Sequence, residues 1–212
     1  MNKLPLILVG GGGHCRSCID VIELEGKYSI EGILDEPEKT GQSILNYKVI
    51  GSDDDIGEFI SKGYSFLVTV GQIKSAEIRK KIFERLRAGH AKIATVISPK
   101  AHVSKYAMIG TGTIVMHGVT INAGAIIGVN CILNTGCNIE HDAETGNNCH
   151  VSTHAVVNGD CKVGDDVFIG SNSVLVQAVR VSTGVTIGAG AVVSKNISEQ
   201  GIYGGAPAKK IK

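Results

Sequence analysis

Along the second half of the chain, aliphatic residues return at every sixth position. Counted from Val103, the first residue of each six-residue unit runs Val103, Ile109, Val115, Ile121, Ile127, Leu133, Ile139, Thr145, Val151, Val157, Val163, Ile169, Leu175, Val181, Ile187 and Val193. Fifteen of these sixteen are Val, Ile or Leu, whereas Val129 alone is so among the third residues. The fourth residue is Gly, Asn or Asp in thirteen of sixteen units, types that take left-handed or turn dihedrals at least cost. The fifth is mostly small, as at Ala107, Thr113, Ala125, Cys131, Cys137, Ala143, Cys149, Ala155, Cys161, Ser173 and Ala191. A helix repeats near 3.6 residues and an ordinary strand at 2, so neither explains a period of six. The pattern predicts a short flat strand, a corner, and the same again. The aliphatic residue points into a narrow prism, the small residue fits where it is tight, and each coil is covered by the next.

The first half alternates strand and helix signals instead. Leu4–Val9 is a short apolar run that ends in the glycines 10–13, and a helix pattern follows from about Cys15 to Glu25. Further strands are expected at Ser29–Leu34, Ser65–Val70 and Lys92–Ile97, with a helix over Ser75–Ala88 capped by Ser75. Such alternation implies a small parallel, Rossmann-like α/β sheet. The boundary is expected at 98/99, giving domains 1–98 and 99–212. Ligands of such sheets bind at the carboxyl ends of the strands, where the glycine run, Asp35 and Gly71 fall.

Composition narrows the function. The 212 residues are 43% hydrophobic and 19% charged, so a core is expected, and the net charge of +1 argues against a nucleic-acid or membrane footprint. Residues 1–102 hold 14 of the 21 Lys and Arg. No run approaches the roughly 18 apolar residues of a membrane helix, and Leu4–Val9 is too short for a signal segment. A cytoplasmic location is therefore expected, with reduced thiols. Four of the six cysteines occupy the small inward position and read as packing residues. Cys15 and Cys18 have redox spacing but follow a glycine loop, so helix packing is the simpler reading.

Three features carry candidate chemistry. The Gly10–Gly13 loop between strand and helix can offer backbone N–H groups to a phosphate, with His14 beside it. It is neither a Walker loop nor a clean dinucleotide fingerprint, so a nucleotide site and a plain tight turn both remain open. His141 takes the outward third position of its unit, with the small residues Ala123 and Gly159 on either side along the stack. A histidine suits general-base work, and Asp142 could raise its basicity; Asp142 equally fits the turn position. His150 with Cys149 could suggest a metal, but Cys149 points inward while ligands must converge. His117 and His154 read as surface turn residues.

The repeat resembles the hexapeptide-repeat, left-handed parallel β-helix acyltransferases. The match extends over the whole chain through Gly-Gly-Gly-His at 11–14, Ile-Leu-Asn-Thr at 132–135, Ile-Glu-His-Asp at 139–142, His-Val-Ser at 150–152 and the closing Gly-Gly-Ala-Pro-Ala-Lys at 204–209. These motifs are similar to those of the bacterial sugar acyltransferases of the PglD and NeuD type, with the perosamine N-acetyltransferases. The resemblance implies three hexapeptides per triangular coil and a left-handed winding, against the right-handed rule for parallel crossovers. It implies His141 as base and Asp142 as the acid that raises its basicity, although relatives often carry Glu there. It implies acetyl-CoA contacts at His150, Ser171 and Ala189, and no metal. Nucleotide-sugar contacts are implied at Gly12, Gly13, His14, Asp35, Glu36 and Gly71. A homotrimer is implied, with coenzyme between neighbouring β-helices. The activity implied is acetylation of the 4-amino group of a nucleotide-linked 4-amino-4,6-dideoxy sugar, UDP-linked by preference, for surface glycan synthesis. Sialic acid O-acetylation and a non-catalytic sugar-nucleotide scaffold are the alternatives.

Overall fold

A computed structural model describes residues 3–72 and 75–212. The first half forms a six-stranded sheet of β1 (Leu4–Val9), β2 (Tyr28–Leu34), β3 (Ser43–Ile44), β4 (Tyr47–Gly51), β5 (Ser65–Val68) and β6 (Lys92–Ile93). The strand order is β3-β4-β2-β1-β5-β6, parallel except for the β3–β4 hairpin. Alternate residues of β1 face opposite sides, as a strand requires. Leu6 and Leu8 pack on Cys15, Cys18, Ile19 and Ile22 of α1 (Gly13–Glu25). Ile7 and Val9 join Ile82, Phe83 and Leu86 of α3 (Glu77–Ala88) and Ile56 of α2 (Ile56–Ser61) on the other side. α3 begins at Glu77, two residues later than expected, and Ala76 rather than Ser75 is its N-cap residue, although Ser75 Oγ still accepts the Glu77 N–H at 3.1 Å. The β3–β4 hairpin and α2 carry no strong period and were not expected. Ser65–Val70 is shorter than expected, ending at Val68.

The strand expected over Lys92–Ile97 is two strands. Lys92–Ile93 closes the α/β sheet, while β7 (Val96–Ile97) pairs with Ile114–Val115 and opens the second architecture. From there each two-residue strand pairs in parallel with the strand 18 residues later, as in Ile114↔Ile132, Ile132↔His150 and His150↔Phe168. Three stacks result, and they form the faces of a left-handed β-helical prism. The first face runs from β7 to Thr186–Ile187 and is closed by the strands Ile202–Gly204 and Lys209–Lys210. The second runs from His102–Val103 to Val192–Val193, and the third from Met108–Ile109 to Arg180–Val181.

The corner chemistry follows the sequence period. Fourteen of the sixteen fourth-position residues have positive φ, among them Asn130, Asp142, Asn148, Asp166 and even Ala178. Cys131, Cys137, Cys149 and Cys161 are buried, unpaired thiols. Cys15 and Cys18 are also buried and free, and burial pushes the Cys15 thiol up to about 11, away from redox reactivity.

The α/β half rests on the first face and its two edges. Val96, Ile114, Cys131 and Ile132 share one apolar cluster with α1. His117, expected as a surface turn residue, does stand in a turn but is not fully at the surface. It is half-buried, with Nδ1 2.6 Å from Ser98 Oγ and Nε2 2.7 Å from Asp20 Oδ2 on α1. Ser98 is only 1% exposed, so this Ser-His-Asp line is a clamp rather than a nucleophile.

Candidate active site

Two clusters of candidate residues lie on opposite sides of the prism. The first surrounds the carboxyl ends of β1, β2 and β5. The chain crosses from one side of β1 to the other there, which opens a crevice. A cavity of about 290 Å³ is bordered by Gly10, Asp35, Glu36, Ser52, Asp53 and Val70, with Ile78 and Ile82 of α3 behind. Gly10 has φ +105°, and a Cβ there would strike Val70. Asp35 Oδ2 accepts the Gly11 N–H at 2.9 Å, Oδ1 accepts the Glu36 N–H at 2.8 Å, and Lys39 lies 3.2 Å away. Asp35 therefore fixes the glycine loop as well as bordering the cavity. Glu36 pairs with Lys39 at 2.9 Å.

Gly12 caps α1 without any side-chain cap, and no acidic residue occupies the first turn. Gly12 and Gly13 are exposed, with nothing within 4 Å of where a Cβ would stand. The start of the helix is thus uncrowded at Gly12 and Gly13, and its partial positive charge suits an anion there. His14 follows. Its Nε2 is buried without a hydrogen-bond partner, and burial, with Arg79 and His150 nearby, pushes its pKa down to about 3. Gly71 packs on His14, where a Cβ would come within 3.3 Å of the His14 Cβ.

His150 sits close by on the first face, its ring 6.5 Å from that of His14 and edge-on to Phe168 at 5.2 Å. It is buried, and burial pushes its pKa down to about 4. The Gln72 carbonyl lies 2.6 Å from Nδ1, so Nδ1 carries the proton and donates. Nε2 is left to accept from Asn134 Nδ2 at 3.3 Å. Both ring nitrogens are thus engaged within the chain. Ser171 and Ala189 lie on the edge between the first and second faces. Ser171 Oγ is 2.9 Å from Ser152 Oγ, and Ala189 is exposed.

The second cluster stands on the edge between the second and third faces, opposite the first face. His141 is exposed, with Nδ1 3.0 Å from Asp142 Oδ2. The hydrogen bond to Asp142 raises its pKa above the ordinary 6.5, with Asp160 and Glu140 adding to the effect. Because Nδ1–H donates to the carboxylate, Nε2 is the free, basic nitrogen. It lies over Gly159, where a Cβ would come within 2.7 Å. Glu140 is spent structurally, accepting from Asn122 and Asn138 at 2.7 Å each.

Sequence reasoning missed Gln72, Asn134 and Arg79. Gln72 and Asn134 acquire their roles only through contacts with His150, which no local pattern announces. Among the described residues, no group of His, Cys, Asp and Glu has a metal-binding arrangement, and no helix is long and apolar enough to cross a membrane.

Comparison with known proteins finds two matching families. Residues 5–86 match the PglD N-terminal domain family, and residues 142–177 and 160–195 match the bacterial transferase hexapeptide family. The acetyltransferase domain of PglB from Neisseria gonorrhoeae is 31% identical with a TM-score of 0.92, over 99% of this chain and 100% of that one. A second structure of that domain holds acetyl coenzyme A. PerB from Caulobacter crescentus, in complex with CoA and GDP-perosamine, is 28% identical with a TM-score of 0.91, over 98% and 97% of the two chains. Two further structures of that enzyme carry a histidine replaced by asparagine or alanine. The UDP-N-acetylbacillosamine N-acetyltransferase of Bacillus subtilis is 32% identical over 111 residues, 51% of this chain. That match spans half the length of the Bacillus protein.

Proposed function

This chain belongs to the hexapeptide-repeat sugar acyltransferases with a PglD-type N-terminal domain, and we propose that it is an acetyl-CoA-dependent N-acetyltransferase acting on a nucleotide-linked amino sugar. The acceptor we favour is the 4-amino group of a UDP-linked 4-amino-4,6-dideoxy sugar, as the Bacillus relative's name suggests; the GDP-perosamine complex of the PerB enzyme makes a GDP sugar the second reading. The observation that carries the proposal is the free Nε2 of His141, made basic by Asp142 and open to solvent.

Each cluster then has a task. The exposed start of α1 and His14 bind the diphosphate, and the cavity beside Asp35, Glu36 and Gly71 takes the nucleoside. Asp35 works by holding the Gly11 N–H and so the shape of the loop. The Ser171–Ala189 edge meets acetyl-CoA, with His150 and Asn134 shaping the wall behind it. The neutral sugar amine attacks the thioester carbonyl carbon and His141 Nε2 removes a proton from the nitrogen. The carbon–sulfur bond breaks and CoA leaves as thiolate, with the proton held by His141 available to it. No covalent acyl-enzyme is required, since every cysteine is buried.

The two clusters cannot meet within one chain. The α/β half rests on the first face, and His141 stands on the edge opposite it. A homotrimer resolves this, because His141 of one chain can then face the nucleotide cavity and coenzyme edge of a neighbour. The test is thiol release from acetyl-CoA with UDP-, dTDP- and GDP-linked 4-amino sugars, with sialic acid as comparator. Release with an amino sugar, and one added acetyl group on it, supports the reading. Release with sialic acid alone moves the activity to O-acetylation.

A further inference from the structure

Arg79 is a fully buried cation that the proposed reaction leaves unused. It is 1% exposed and remains charged, burial lowering its pKa only to about 10. Among the described residues no carboxylate touches it. Its Nη1 donates to the carbonyls of Val68 (3.1 Å) and Val70 (2.9 Å), and its Nη2 to the carbonyl and Oδ1 of Asn130 (2.8 Å each). Buried charge persists only where polar groups answer it.

The answering groups form a closed circuit. Asn130 Nδ2 donates to Asn148 Oδ1 at 2.9 Å, and Asn148 Nδ2 donates to Asp166 Oδ1 at 3.0 Å. Asp166 Oδ2 accepts from Lys80 Nζ at 2.8 Å, and Lys80 is the neighbour of Arg79 in α3. Residues 130, 148 and 166 share one edge of the prism, each with a left-handed φ of 54–59°. That backbone stacks their side chains in an axial column. The circuit leaves α3 at Arg79, crosses three coils and returns at Lys80, ending on a carboxylate.

What the guanidinium grips is the segment 68–72. Val70 borders the nucleotide cavity, Gly71 packs on His14, and the Gln72 carbonyl accepts the His150 Nδ1–H. We propose that Arg79 is a positioning residue for the nucleotide sugar, held in place by the Asn130–Asn148–Asp166 column of the β-helix. This inference rests on the nucleotide-sugar reading of the cavity.

Asn130→Gly tests it. Glycine fits the left-handed φ, and the change removes the amide from both Arg79 and Asn148 without touching the cavity. Hydrogen exchange of the 68–72 amides is followed, with affinities for UDP, dTDP and GDP and KM values for both substrates. In Asn130→Gly, exchange is expected to rise about tenfold, and the nucleoside diphosphate that the wild type binds to weaken about tenfold. The KM for acetyl-CoA, which segment 68–72 reaches only through the Gln72–His150 contact, rises by no more than about twofold, whereas general loosening of the fold would raise both KM values alike. Asn130→Asp keeps an oxygen for Arg79 but offers Asn148 no donor, so it restores nucleotide affinity only in part. Arg79→Lys and Asn148→Gly break the circuit elsewhere and weaken the same ligand, which covers the case of a poorly folded Asn130→Gly. Unchanged exchange and affinity, or equal weakening of both substrates, overturns the positioning role. A wild type that binds none of the three diphosphates overturns instead the nucleotide reading beneath it.

Discussion

His141 Nδ1 and Asp142 Oδ2 lie 3.0 Å apart although the two residues are adjacent in the chain. Side chains of neighbours on a strand point to opposite faces, but Asp142 has φ +59°. The left-handed corner turns its carboxylate back onto the imidazole. The corner residue and the residue that raises the basicity of the proposed base are thus the same residue. The base works unprotonated, so acetyl transfer should rise with pH through the His141 pKa, which Asp142 holds above 6.5. Asp142→Asn keeps the corner, since Asn tolerates this φ, but removes the carboxylate. The acidic limb of kcat should move to lower pH and its plateau fall by about tenfold, a weaker base transferring the proton less readily. A limb that stays in place would remove His141 as the titrating group.

The space around Nε2 is set by Gly159. A Cβ there would stand 2.7 Å from Nε2 and 2.8 Å from Cε1. The imidazole is exposed and free to swing toward solvent, so Gly159→Ala should fold normally. The base is displaced, and a shift of about 1 Å costs on the order of a hundredfold in rate. Circular dichroism and melting near wild type, with kcat down and both KM values little changed, is the expected pattern. His141→Ala should lose roughly 10²–10⁴-fold in kcat by the same measures.

A shared active site predicts complementation. His141→Ala lacks the base, and Asp35→Ala loosens the Gly11 loop that borders the nucleotide cavity. Each is expected to be nearly inactive alone. Mixed by partial denaturation and reassembly in equal amounts, they should regain roughly a quarter of wild-type sites, the fraction in which an intact base meets an intact neighbouring cavity. Sites built within one chain would regain nothing.

The β-helix was legible because its physics is local and periodic. Every sixth residue meets the same prism interior, so the Val103 register anticipates the inward residues and the corners alike. The registers also anticipated where His141 would stand and the small neighbour beneath it. The fate of Lys92–Ile97 was less legible, because a strand does not reveal which sheet it will join. Nor could Arg79 be told from the other cations of α3. Its burial depends on Asn130, 51 residues away, and on a column of side chains whose members look like ordinary corner residues. His150 was identified but not its burial, which is imposed by the Gln72 loop of the other half.

The corner rule makes one further prediction, about stability. Ala178 holds φ +61° at a fourth position, where most units carry Gly, Asn or Asp. An L-residue with a Cβ is strained there by about 1–2 kcal/mol, and glycine is not. Glycine also loses more backbone freedom on folding, a cost of roughly 0.5–1 kcal/mol. The strain is the larger, so Ala178→Gly should stabilise the protein by up to about 1 kcal/mol and raise Tm by a few degrees. The same substitution at Ala143, an inward fifth position that is fully buried and lies outside the left-handed set, gains no relief of strain and should destabilise by about 1 kcal/mol. Paired melting curves of the two variants separate the corner from the core: opposite shifts uphold the backbone rule, and shifts of one sign reject it.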